Sequence, residues 1–148
     1  MMTLNEGFNF DRDTPPDVRA SFRTPPARVL LKQGAKLYRF VTMGHNETIA
    51  GFWTPHDVYA KLEGWSRQLG MPVQYLARNL LAVTVEWNPK MNGLSIVELK
   101  CDAYGLRGPA KYQRLEKANP KVLLIGNVDQ VWVPSLTPAL VFQQFRTL

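Results

Sequence analysis

The apolar residues of this chain keep one order of spacings, and that order limits the folds open to it. They alternate, then recur at helical intervals, then alternate again. "KLYRFVTMG" (36–44) alternates and predicts a strand over 37–43, with Leu37, Arg39 and Val41 on one face and Tyr38, Phe40 and Thr42 on the other. "GFWTPHDVYAKLEGWSRQLG" (51–70) carries the clearest helix signal, with Val58, Leu62, Trp65 and Leu69 at helical spacing. There Thr54 is the expected N-cap, Pro55 suits the first helical position, Asp57 completes a Thr-x-x-Asp cap, and Gly70 closes the helix. "PVQYLARNLL" (72–81) predicts a second helix through Val73, Leu76 and Leu80. "AVTVEW" (82–87), "LSIVELK" (94–100), "KVLLIG" (121–126) and "QVWVPSL" (130–136) read as strands, and "ALVFQQFRTL" (139–148) as a last strand or short helix. "DAYGLRGPAKYQ" (102–113) reads as a loop marked by Gly and Pro. Strands gathered after helices predict an α+β fold with a mostly antiparallel sheet and two helices after the first strand.

The 148 residues make one domain. Residues 1–28 hold Pro-Pro pairs at 15–16 and 25–26, which disfavour helix and interior strand. They predict an extended surface segment, pinned by Phe8, Phe10 and Phe22, ahead of a compact domain over 29–148. With 45% hydrophobic and 20% charged residues, the composition is that of an ordinary globular protein. No apolar run reaches the length of a membrane span, so no membrane partner is expected. No secretory signal is visible. The expected location is cytoplasmic, or outside the cell after delivery without a classical signal peptide. Cys101 stands alone, so no internal disulfide and no cysteine-based zinc site is expected, and the two histidines are too few to suggest a metal centre.

Arg39 is the residue out of place. A guanidinium among aliphatic neighbours needs a partner to offset its lost hydration. Glu98 or Glu86 could serve in a structural ion pair, or a ligand could. The net charge of +6 and a pI near 9.7 favour an anionic partner: a nucleotide, a nucleic acid or an acidic protein. The basic residues are scattered, the densest group being "KYQRLEKANPK" (111–121), so a non-enzymatic basic module stays open as an alternative. No Gly-x-Gly-x-x-Gly follows the first strand and no phosphate-binding Gly-Lys-Ser/Thr occurs. No Gly-x-Ser-x-Gly elbow points to a serine hydrolase. A ribonuclease using His45 and His56 is a further alternative, because phosphodiester cleavage needs only two acid–base groups. Trp53, Trp65, Trp87 and Trp132 have a plain reading as core, and Gln130 has one as an exposed edge-strand residue.

Three separated pieces, in order, carry a resemblance: "KLYRF" (36–40), "GFWTP" (51–55) and "GNVDQVWVPSL" (126–136). Together they resemble the ADP-ribosyltransferase-like superfamily, within it the small bacterial toxin or effector domains that consume NAD. "GLRGPAKYQ" (105–113) is similar to a Gly-x-x-Gly-Pro-Ala-x-x-Gln segment that some of those toxins carry. The resemblance implies a split antiparallel sheet, NAD as substrate and no metal. It implies that Arg39 binds the NAD phosphates and that Tyr38, Phe40, Phe52, Trp53 and Thr54 shape the nicotinamide pocket. It also implies that Gln130 stands beside the nicotinamide ribose. Transferases that modify arginine usually show Glu-x-Glu or Gln-x-Glu where this chain has Val128-Asp129-Gln130, which shifts the expectation toward NAD hydrolysis. A toxin of this kind implies an acidic immunity protein, and a transferase a protein or nucleic-acid acceptor.

Overall fold

The structure, a computed structural model, describes residues 2–44, 49–81, 90–115 and 122–148. Its elements run α1 (Phe10–Asp13), α2 (Pro16–Ala20), β1 (Ala27–Leu31), β2 (Lys36–Val41), β3 (Gly51–Pro55), α3 (His56–Leu69) and α4 (Val73–Leu80). They continue with β4 (Gly93–Leu99), β5 (Ala103–Pro109), β6 (Gln113–Leu115), β7 (Val122–Leu124), β8 (Asp129–Val133) and β9 (Val141–Thr147). The expected α+β class and antiparallel sheet are what the chain adopts. Seven strands form one sheet in the order β1-β5-β8-β3-β2-β4-β9, every neighbouring pair antiparallel.

One junction in that sheet is short. β2 pairs with β4 from Lys36↔Glu98 to Val41↔Gly93, yet with β3 only through Leu37↔Pro55 and Tyr38↔Thr54. Beyond this pair of rungs the strands part. The sheet is therefore split into β1-β5-β8-β3 and β2-β4-β9.

The helices follow the third strand, not the first. β1 has already paired with β5, and "GFWTP" is itself a strand. Thr54 consequently does not cap α3. It is buried in β3 opposite Tyr38, and the N-cap position falls to Pro55, with no side-chain capping bond. Aromatic and β-branched residues favour the strand, and Gly51, Phe52 and Trp53 each find a partner on β8. Gly70 ends the helix in the left-handed conformation, φ 65°, as expected of a glycine there. "DAYGLRGPAKYQ" is not a loop, since most of it is β5 and Gln113 opens β6. Its glycines serve close approach. A Cβ on Gly105 would lie 2.7 Å from the Trp132 carbonyl oxygen, and one on Gly108 would lie 3.1 Å from the Phe22 ring. "ALVFQQFRTL" resolves as strand β9, while "AVTVEW" lies outside the described residues.

The N-terminal segment is not extended. It folds into α1 and α2, with Asn9 Oδ1 accepting from the Arg12 amide at 3.0 Å and Pro16 opening α2. Pro-Pro excludes helix interiors but not helix starts. Phe10, Val18 and Phe22 are buried against Leu106 and Trp132, and Leu4 forms a parallel bridge to Ala103.

The sheet buries both faces. Leu37, Trp53, Val97, Val131 and Val133 pack on one side with Leu99, Leu136 and Val141. Tyr38, Phe40, Leu94 and Ile96 pack on the other against Val58, Tyr59 and Leu62 of α3 and Ala77 of α4. Trp53 and Trp132 are thus core, as the plain reading has it, whereas Trp65 is 38% exposed. Among the described residues no helix is long and apolar enough to cross a membrane.

Candidate functional site

Where β2 and β3 part, the side chain of Arg39 takes over from the backbone ladder. Its Nε donates to the Phe52 carbonyl at 2.9 Å and its Nη2 to the Ala50 carbonyl at 3.1 Å. The guanidinium carbon lies 3.9 Å from the centre of the Trp53 ring, a favourable cation–π placement. Among the described residues, two carbonyls and an indole face orient the guanidinium. Glu98 faces the other way, because it pairs with Lys36 while Arg39 pairs with Ser95 and side chains alternate along β4. Glu86 lies outside the described residues.

Gly51 permits this arrangement. Its φ is +114°, and a Cβ there would sit 3.4 Å from Arg39 Nη2. Gly51→Ala should therefore cost about 1–3 kcal/mol of stability through backbone strain alone. Denaturant unfolding of the variant against the parent measures this, and an unchanged midpoint would refute it.

The parting strands leave a cleft of about 80 Å³ lined by Tyr38, Arg39, Phe40, Phe52, Trp53, Thr54, Leu81 and Gln130. All seven residues named from the sequence line this one cleft. Leu81, at the end of α4, is the lining residue that sequence reasoning passed over; it adjoins Leu80 on that helix's apolar stripe. Gln130 is not at an edge, because β8 lies between β5 and β3. Its Nε2 donates to the Ser21 carbonyl at 2.9 Å, which fixes the amide. Tyr38 stacks on Tyr59 with ring centres 4.1 Å apart and planes 2° from parallel, and its hydroxyl bonds His56 Nδ1 at 2.8 Å. Burial raises the Tyr38 phenol, and burial with nearby Glu63 pushes Tyr59 up to about 12. Both phenols stay neutral, so this wall of the cleft is uncharged over the ordinary pH range.

Asp129 turns away from Gln130, as alternation predicts, and accepts from Arg107 Nε at 2.9 Å. Arg107 also grips Asp57 through Nη1 at 3.0 Å and Nη2 at 2.7 Å. Asp57 therefore ties the start of α3 to β5 and β8 instead of completing a cap with Thr54. Arg107 was legible only as part of "GLRGPAKYQ", and nothing in that pattern marks its partners. The Arg107 hydrogen bonds hold the Asp57 carboxyl below its usual value. A carboxyl depressed on folding contributes stability that is present above its unfolded pKa and lost as pH falls through the folded one. Asp57→Asn should accordingly flatten the loss of thermal stability on acidification below about pH 4, while an unaltered acid limb would refute this.

For the ribonuclease alternative, His56 is engaged with Tyr38 and His45 lies outside the described residues. Most of the basic segment 111–121 does too.

The fold is shared with two solved chains. Tne2, solved in complex with Tni2, superposes with a TM-score of 0.54 at 15% identity, covering 83% of this chain and 92% of Tne2. Rhs1-CT, solved in complex with its cognate immunity protein RhsI1, gives 0.55 at 15% identity, covering 86% of this chain and 84% of the other. No protein-family model matches the sequence, and no curated protein matches it.

Proposed function

We propose that this chain is a bacterial toxin domain that cleaves the nicotinamide–ribose bond of NAD, with water as the acceptor. The observation that carries the reading is the cleft at the split, where Arg39, Gln130 and five aromatic or hydroxyl-bearing residues converge from three strands. Its space of about 80 Å³ is below the range of ligand pockets, so on this reading the parting strands move further apart to admit the nicotinamide ring. Phe52 borders the ring, which is cationic before cleavage and is attracted to aromatic faces, while the Trp53 face is taken by Arg39. The Arg39 guanidinium binds the pyrophosphate oxygens, whose geometry its planar fork matches. The Phe52 and Ala50 carbonyls and the Trp53 face fix its orientation.

Bond breaking passes through an oxocarbenium-like state, as in glycoside hydrolysis. The C–N bond electrons leave with nicotinamide, and water adds to the ribose carbon and releases a proton, giving ADP-ribose. Ser21 holds the nitrogen end of the Gln130 amide, so its Oε1 is the end that accepts from a ribose hydroxyl. That bond strengthens as positive charge develops. Hydrolysis is favoured over transfer because the carboxylate nearest Gln130, Asp129, is engaged by Arg107 on the other face.

As a toxin the chain would be held inactive by an acidic immunity protein, complementary to its charge of +6. Rhs1-CT, of the same fold, is bound to its cognate immunity protein. Incubating the purified chain with NAD and resolving the products tests the reading. Nicotinamide with ADP-ribose is expected. ADP-ribose attached to a protein or nucleic acid would establish transfer. An unconsumed NAD pool, with salt-sensitive binding to a polyanion, would favour the basic-module alternative.

A further inference from the structure

β9 is an outer strand of the sheet, and it lacks the features that usually protect such strands. Seven consecutive residues, Gly93 to Leu99 on β4, pair with Thr147 to Val141 without a bulge. Among the described residues β9 pairs with β4 alone, and the backbone donors and acceptors of its other rim have no strand partner among them. From Phe142 to Thr147 every residue is exposed. No proline interrupts the strand, and its one charged side chain is Arg146. Phe142 is 61% exposed and Phe145 48%, and the alternation of a strand puts them on opposite faces of this rim. A groove of about 260 Å³ lies over β2, β4 and β9, lined by Lys36, Ile96, Glu98, Phe142, Gln143 and Gln144. Lys100 lies over the Phe142 ring at 4.6 Å.

A bare, straight strand edge with an aromatic ring on each side is the surface that β-augmentation uses. There the backbone ladder supplies affinity and alternate side chains supply selectivity. Charge decides the occupant. Arg146 on β9 and Lys100 beside Phe142 flank the edge, with Lys36 and Glu98 paired on the strands behind it and Glu63 near the same tyrosine as Arg146, on a chain whose net charge is +6. A second copy would bring like charges together across a new ladder, and like charges directly opposite are destabilising. We infer that the exposed edge of β9 receives an added strand from an acidic protein partner, with apolar side chains on Phe142 and Phe145 and carboxylates toward Lys100 and Arg146. This edge is separate from the cleft, and the inference stands or falls without NAD chemistry.

The test uses the whole chain and a blocked peptide of alternating valine and glutamate, with binding followed by backbone amide shifts. Perturbation centred on β9 is expected, with affinity at least about tenfold weaker for the same peptide N-methylated on alternate amides. A similar loss is expected for a valine–lysine peptide and for the exposed-site variant Phe142→Ser. Equal affinity for the N-methylated peptide would overturn the added strand. Perturbation away from β9, or none at about 1 mM peptide, would overturn the site. Concentration-dependent self-association abolished by Phe142→Ser would overturn the acidic partner in favour of a second copy.

Discussion

Arg39→Ala is expected to lower nicotinamide release from NAD by about a hundredfold to a thousandfold, the usual cost of removing one preorganised group that meets developing or bound negative charge. Such a loss corresponds to about 3–4 kcal/mol of transition-state stabilisation. Arg39 has a second task that the assay must separate from the first. It donates to the part-buried Phe52 carbonyl and the exposed Ala50 carbonyl where β2 and β3 diverge, and losing such hydrogen bonds costs about 1 kcal/mol each at most. Thermal unfolding of the variant therefore accompanies the kinetics. Arg39→Lys distinguishes the roles, because lysine keeps the charge but not the planar fork that reaches two carbonyls and a diphosphate at once. A folded Arg39→Ala protein with full NADase activity would end the assignment.

Gln130→Ala is expected to reduce kcat by about a hundredfold while leaving KM nearly unchanged. This is the signature of a contact made mainly in the transition state. The hydrogen bond from a ribose hydroxyl to the amide oxygen gains strength only as the sugar becomes cationic, so ground-state binding loses little. The Ser21 bond that is lost with it contributes about 1 kcal/mol to stability, too little to unfold a domain of this size. A raised KM with an intact kcat would instead make Gln130 a uniform binding contact.

Periodicity showed the strands whose side chains alternate cleanly, β2, β4 and β8, together with both long helices. It failed where composition and context disagree. Residues 103–109 carry the glycines and proline of a loop but form an interior strand, because Gly105 and Gly108 allow neighbouring backbone and ring to come close. Thr54-Pro55-His56-Asp57 matches a capping pattern, yet pairing across to Tyr38 keeps Thr54 in a strand. The N-terminal helices, of four and five residues, are too short to form without tertiary support, so no local pattern could reveal them. The cleft residues were found through ordered motifs that resemble a family, not through spacing. The carbonyl partners of Arg39 were invisible for a different reason: they exist only because two paired strands separate after a pair of rungs.

The packing of the first helices has a practical consequence for anyone trimming the chain. Ser21, which positions Gln130, and Phe22, whose ring lies 5.9 Å from that of Phe52, both precede Val29. A fragment starting there would expose Trp132 and release the amide from its anchor, so its failure in an assay would say nothing about the chemistry of the intact protein. The working unit extends back through the segment that looks most dispensable.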